Sequence, residues 1–256
     1  MITAKLVGGL GNQMFIIATA YALAIDNNDE CAFDLSQNPV FQGNGAYTYK
    51  ENIFKKVKEL SPLWKPNVIY KEPSFSHTPI LYQKDMILNG YFASGKYFNR
   101  HRDDIITLFK DTATIDSIKT SFENSVSMHV RRGDYLRFSD VYIQPTPYYY
   151  NKALEFLHRH QNIERVYVLS DDIRWCKENL SDPRMEFIDT GIDYLDLYTM
   201  SLCKHNILAN SSFSWWGTYL NQNDDKIVIA PKVWFKKKEL QVNDIFCDNW
   251  ITIDAI

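Results

Sequence analysis

The sequence predicts an α/β protein of two domains, each built on a parallel sheet. Three observations carry that prediction. The chain has 256 residues, about 1.7 times a typical domain of roughly 150. Its opening reads as strand, glycine loop and buried helix. Beyond about residue 116, short apolar strands alternate with helices, a spacing that argues for parallel strands covered on both faces. The boundary falls near residues 115–124, giving an N-terminal domain over 1–118 and a C-terminal one over 119–256.

Taken in order, Ile2–Val7 reads as a strand, Gly8, Gly9 and Gly11 as a turn, and Gln13–Ile25, apolar with small residues, as a buried helix. Glu30–Leu35 reads as a second strand. From Ser36 to about Asp85 the pattern is weak, and five of the nine prolines lie between Pro39 and Pro79, so loops and short elements are expected there. Met86–Phe92 reads as a strand and Tyr97–Lys110 as a helix. In the second half, Ser125–Val130, Arg165–Ser170, Met185–Ile188, Asn206–Ala209 and Lys226–Ala230 read as strands. Thr146 as N-cap and Pro147 in the first turn open a helix to about Arg159. Asp171–Leu180, Asp193–Lys204 and Ser212–Leu220 complete the helices.

Composition narrows the function. Apolar residues at 45% and charged ones at 23% exclude a disordered or low-complexity chain. The charge sum, 28 − 31 = −3, argues against a broad nucleic-acid-binding face, yet leaves room for a local basic pocket. No run of about 18 apolar residues predicts a membrane span. Asn12 and Gln13 interrupt the only stretch resembling a signal peptide. Cysteines 31, 176, 203 and 247 show no metal-binding spacing, and with no secretion signal they read as reduced thiols of a cytoplasmic protein.

Four polar constellations sit at strand ends, where open α/β sheets place ligands. Gly8-Gly9-Leu10-Gly11-Asn12-Gln13 lacks the third glycine of a dinucleotide fingerprint, since Met14 stands in its place. It is either a tight turn or a ligand-facing loop with the Asn12 and Gln13 amides. In His129-Val130-Arg131-Arg132-Gly133-Asp134-Tyr135, one arginine can reach a phosphate bidentately while the other holds structure, and a turn at Gly133 can bring Asp134 back to the site. Asp134 can equally pair with Arg132. Arg132-Gly133-Asp134 is also an adhesion tripeptide, a reading without support from any secretion signal. Asn210-Ser211-Ser212-Phe213-Ser214-Trp215-Trp216-Gly217 opens a helix, so amides, macrodipole and hydroxyls together suit an anion. Ser211 or Ser212 would otherwise serve as an N-cap, the two tryptophans read as core, and Gly217 suits close helix packing. Ser170-Asp171-Asp172 is either an N-cap or a carboxylate for ribose hydroxyls or a base edge. No Asp-x-Asp triplet is present to hold a divalent cation, so Arg131 and a helix start could neutralise a diphosphate without metal. The Lys236-Lys237-Lys238 run reads as a solvated face, with contact to anionic lipid as the lesser alternative.

The blocks GGLGNQMF, HVRRGDY and NSSFSWWG, in this order over residues 8–217, resemble the bacterial α-1,2-fucosyltransferases of glycosyltransferase family 11. The resemblance implies a GT-B-type fold, two Rossmann-like domains facing across a cleft. It implies inverting transfer of L-fucose from GDP-β-L-fucose to the 2-hydroxyl of a galactose-terminated glycan, with no metal or other cofactor and no nucleic acid partner. The C-terminal domain would bind the donor and the N-terminal one would be the acceptor side. Arg131 would hold the GDP phosphates, His129 would line the donor site, and Asn210 and Ser211–Ser214, Phe213 included, would bind phosphate at the helix start. Asn12 and Gln13 would face the donor, and Asp171 or Asp172 would contact the nucleotide. The blocks depart from the family where Ile16, Ile17 and Ala18 replace the usual Gln-Tyr-Ala, which bears on acceptor choice. Asp134 is the first candidate for the base and Asp140 the second. Peripheral contact with a membrane-bound, lipid-linked glycan at the inner face of the membrane is compatible with this. Two other readings stay open. One is a nicotinamide-dependent oxidoreductase using the first glycine loop and Asp34. The other is a non-catalytic sugar-binding protein, which the 14% aromatic content permits.

Overall fold

The computed structural model describes residues 1–36, 43–118, 121–237, 240 and 243–256. Pro39 and Lys238 of the segments discussed above lie outside these. The chain divides into two compact units, Met1–Thr114 with Val242–Cys247, and Ile115–Gln241 with Asp248–Ile256.

The first unit opens with β1 (Ile2–Ala4) and α1 (Leu10–Asp26). Gly8 takes φ +76°, a left-handed conformation that side chains other than glycine's rarely tolerate, and Asn12 packs where a Cβ would stand. Helix α1 is buried almost all round, as its run of Phe, Ile and Ala demands. β2 (Val68–Lys71) and β3 (Met86–Asn89) complete a parallel sheet of order β1-β3-β2. β3 stops earlier than expected because the Glu72 carboxylate accepts the N–H groups of Tyr91 (2.7 Å) and Phe92 (3.0 Å) and holds Phe92 at φ +50°. The expected strand over 30–35 is reduced to isolated bridges, Ile2 with Cys31 and Phe33 with Glu59. It ends in a side-chain turn, where Ser36 N–H donates to Asp34 at 3.0 Å. The expected helix over 97–110 is two 3₁₀ turns followed by α2 (Arg102–Phe109). α3 (Thr112–Ser117) runs across the division between the units at Thr114. β2 was hidden among prolines.

The second unit carries β4 (Ser125–Val130), α4 (Pro147–His160), β5 (Arg165–Ser170), α5 (Ile173–Asn179), β6 (Met185–Ile188), α6 (Asp193–Leu202), β7 (His205–Ile207), α7 (Ser212–Tyr219), β8 (Val228–Pro231) and β9 (Ile251–Ile253). All six strands are parallel, in the order β6-β5-β4-β7-β8-β9. By chain order within the unit this is 3-2-1-4-5-6, the doubly wound Rossmann arrangement. Its core joins Val126, Met128 and Val130 of β4 to Tyr149, Leu154 and Leu157 of α4 and to Ile207 and Ile229. Pro147 does open α4, but the Thr146 hydroxyl donates to the Ala255 carbonyl (3.3 Å) instead of capping the helix, because the chain end packs against it. Trp215 and Trp216 are fully buried and edge-to-face at 5.2 Å, so they belong to the core. A Cβ at Gly217 would come 2.8 Å from Met200 Cβ, so glycine lets α7 lie close against α6. None of the four cysteines forms a disulfide. Among the described residues no helix is long and apolar enough to cross a bilayer, and no group of three or more His, Cys, Asp or Glu could hold a metal ion.

Candidate functional site

In the second unit the chain leaves β4 for β5 on one side and later returns to β7 on the other. Crevices at such switch points, beyond the carboxyl ends of the strands, are where open α/β sheets bind ligands. The two blocks that end β4 and follow β7 meet there. The His129 ring packs on Phe213 at 5.3 Å, and the Tyr135 hydroxyl donates to the Asn210 carbonyl at 3.1 Å.

The two arginines diverge, as alternation along an extended backbone requires. Arg131 forks between two carboxylates. Nη2 donates to Asp134, and Nη1 lies 2.9 Å from Asp171 Oδ2. Its guanidinium also stands over the Tyr135 ring at 5.3 Å. Arg132 turns to the Trp175 face (4.0 Å) and pairs with Asp172 at 3.2 Å. The suggested Arg132–Asp134 pair is thus replaced by Arg131–Asp134. Asp172 also caps α5, accepting from Trp175 N–H at 3.1 Å, while Asp171 Oδ1 accepts the Arg132 N–H at 2.8 Å. A Cβ on Gly133 would run into Asp171 Oδ2. Position 133 is therefore glycine so that this carboxylate can lie against the loop.

The helix start separates into two kinds of residue. Ser211 is the N-cap, its hydroxyl accepting the Phe213 N–H at 3.3 Å. Ser212 and Phe213 are half-buried in the first turn, whose amides have no carbonyl partner within the helix. Asn210 and Ser214 face inward. Asn210 is fully buried and its amide serves the Ile143 (3.0 Å) and Trp234 (2.8 Å) carbonyls, while the Ser214 hydroxyl bonds the Ala209 and Ser211 carbonyls. These bonds shape the loop that opens the helix. Asp140 is exposed and spent on Lys237 at 3.4 Å, and Lys236 bonds the Ser139 carbonyl.

In the first unit Asn12 is half-buried against Gly8. Gln13 is wholly buried, and its amide donates to the Gly8 (2.8 Å) and Asn44 (2.9 Å) carbonyls. Gln13 therefore stitches the glycine loop to the segment around 44.

His129 is 5% exposed, and its Nδ1 is buried with no hydrogen-bond partner among the described residues. Burial, helped by the nearby Arg131 charge, lowers its pKa from 6.5 to about 3. It is neutral at ordinary pH and adds no cation to the site. Burial lowers His205 likewise, to about 4. Both rings bind protons more readily once unfolded, so the unfolded chain gains protons and stability falls as pH drops below about 6.5, continuing towards 4 and 3. We expect a lower urea midpoint at about pH 5 than at about pH 7, and a shallower dependence in His129→Gln. The same slope in the variant would mean that His129 is not a sensing group.

Tyr135 and Trp175 were not singled out from the sequence. Tyr135 is buried, stacked on Tyr142 at 3.9 Å, and links the arginine loop to the serine loop. Its place directly after Gly133-Asp134 was the available signal. Trp175, three residues beyond the cap Asp172, lies one helical turn on and so over the strand end. Tyr135→Phe keeps the stack but strands the Asn210 carbonyl. We expect about 1 kcal/mol of lost stability and about tenfold lower turnover from a displaced loop. Unchanged turnover would confine the hydroxyl to a folding role.

A family model described as Glycosyl transferase family 11 matches residues 67–254. The alpha-1,2-colitosyltransferase of Escherichia coli is 30% identical, over 99% of this chain and 99% of its own. The galactoside 2-alpha-L-fucosyltransferase SEC1 of Bos taurus is 25% identical, over 86% of this chain and 64% of its own. A crystal structure of NodZ alpha-1,6-fucosyltransferase soaked with GDP-fucose shares the fold at a TM-score of 0.51, with 12% identity over 86% of this chain and 92% of that one.

Proposed function

The chain belongs to glycosyl transferase family 11, and from that premise we propose that it transfers L-fucose from GDP-β-L-fucose to the 2-hydroxyl of a galactose-terminated glycan, with inversion and without metal. The observation that carries this reading is the meeting, at one switch point, of a forked arginine and a helix start. Arg131 and the first-turn amides beside Ser211–Phe213 would take up the charge that develops on the diphosphate. The acceptor oxygen attacks the anomeric carbon on the face opposite the nucleotide. As the new C–O bond forms, the bond to phosphate breaks and its electron pair leaves with GDP. The hydroxyl proton passes to the Asp134 carboxylate. His129, neutral beneath Phe213, would offer a dipole and no charge. Asp171 and Asp172 are engaged with the arginines and α5, so we assign them to holding the site, while the Met1–Thr114 unit, with Asn12 near its glycine loop, is read as the acceptor side. The GT-B plan and a peripheral approach to a lipid-linked acceptor belong to the same reading.

A second donor has specific support. The relative at 30% identity is named a colitosyltransferase, and colitose is fucose lacking the 3-hydroxyl. A donor screen with GDP-fucose, GDP-colitose, UDP- and CMP-sugars separates the two. We expect GDP to raise the melting temperature and NADH to leave it unchanged, because only a ligand of the native state stabilises it. Transfer from a UDP-sugar, or stabilisation by NADH alone, would end the proposal.

A further inference from the structure

Among the described residues, four other than glycine adopt a left-handed backbone: Asn28, Asp85, Phe92 and Asn124. Asparagine and aspartate tolerate that region and a bulky aromatic residue does not, so Phe92 at φ +50° is the exception. Strain of this kind persists only where the surroundings over-determine it, and it gathers at functional sites.

Glu72, directly after β2 and half-buried, supplies the constraint. Its carboxylate accepts the N–H groups of Tyr91 (2.7 Å) and Phe92 (3.0 Å), and its own N–H donates to the Asn89 carbonyl at 3.0 Å. Gly90 leaves room for it, since a Cβ there would run into the Glu72 side chain. Burial also pushes the Glu72 carboxyl above the usual carboxylate range, a second cost borne at the same turn.

The turn separates two adjacent rings. Phe92 is wholly buried, stacked with Tyr70 at 6.3 Å and edge-on to Tyr97 at 5.5 Å. Tyr91 stays 39% exposed, and its ring stacks on Phe75 at 6.1 Å and 26°. One ring anchors the turn and the other is held out from it. Phe75 and Tyr91 follow the carboxyl ends of β2 and β3. Because this sheet is parallel, that is also the end at which β1 leads into the glycine loop, and it is the end at which open α/β sheets place ligands.

Resting on the reading of this unit as the acceptor side, we propose that Tyr91, backed by Phe75, is the platform on which the acceptor's galactoside ring stacks, and that Glu72 is the positioning residue that holds it there. A β-galactoside suits such a platform. Its axial 4-hydroxyl leaves the C3, C4 and C5 hydrogens on one face, an apolar surface that can meet an aromatic ring. The 2-hydroxyl, equatorial, stays free at the rim. A tyrosine with a fixed backbone and only two side-chain torsions loses little freedom on contact.

Lactose as acceptor, with GDP-fucose as donor, tests this. Tyr91→Ala should raise the KM for lactose about tenfold, while calorimetric titration shows GDP affinity within about twofold of wild type, because the platform touches the acceptor alone. Tyr91→Phe keeps the ring and should recover most of that loss. Glu72→Gln offers one acceptor oxygen in place of two and should raise the KM about threefold, again with GDP affinity kept. An unmoved KM in Tyr91→Ala overturns the platform, and so does a Tyr91→Phe variant as poor as the alanine one. Weakened GDP binding in Tyr91→Ala overturns it too, by assigning the ring to the nucleotide or to the fold. An unmoved KM in Glu72→Gln overturns the positioning role. A wild-type protein that transfers fucose to no galactoside removes the functional reading and this inference with it, whereas wild-type transfer with an unmoved KM in Tyr91→Ala removes this inference alone.

Discussion

Arg131→Ala should lower transfer by at least about 10²–10³-fold while the protein remains folded, since removing one preorganised donor from a developing anion costs that much. The side chain is 30% exposed and its two partners 21% and 25%, so breaking the pairs should change stability by no more than about 1 kcal/mol. Circular dichroism and a melting curve close to wild type would establish the fold. Initial rates with labelled donor then measure the loss. Arg131→Lys is the informative companion. It keeps the charge but has no planar fork, so it cannot meet two oxygen partners at once as Arg131 meets Asp134 and Asp171, and it should recover only part of the rate. A near-normal rate in Arg131→Ala would leave the leaving group with no cation in this site and would remove the centre of the mechanism.

Asp134→Asn should lower kcat by about 10²–10⁴-fold, the usual worth of a positioned general base, without weakening GDP. The amide is isosteric and still offers an oxygen to Arg131, so the loop should keep its shape. Parallel losses in kcat and in GDP affinity would instead mark Asp134 as a strut of the arginine loop. Retention of kcat within about threefold would move the base elsewhere. Asp140 is a poor substitute, being exposed at the surface and paired with Lys237.

Much of this arrangement was legible in the residues, and the rest was not for definable reasons. The second unit reads clearly because each strand is a short apolar run ending in polar residues, and because helix signals such as Pro147 and Ser211 stand at the right places. The first unit reads poorly. β2 hides in a proline-rich stretch, and the stretch 30–35 has strand composition but finds only single bridging partners. Partner availability is a tertiary property that no local pattern encodes. Within the site, strand-end positions were visible because a parallel sheet fixes which end faces a ligand. Pairing was not. Asp134 lies two residues from Arg132 and three from Arg131, and only the turn at Gly133 decides for Arg131. The inward turn of Asn210 and Ser214 was equally hidden, since an amide and a hydroxyl suit a loop carbonyl as well as a phosphate.

The contact between Gly133 and Asp171 has a practical consequence for anyone wishing to retarget this protein. A library that randomises the 131–138 segment wholesale would disturb this loop in most members, since any side chain at position 133 displaces a carboxylate that pairs with Arg131 and accepts the Arg132 N–H. Diversity is better spent a few residues on, at Leu136 and Phe138, which are 45% and 49% exposed and can change without touching the ion pairs.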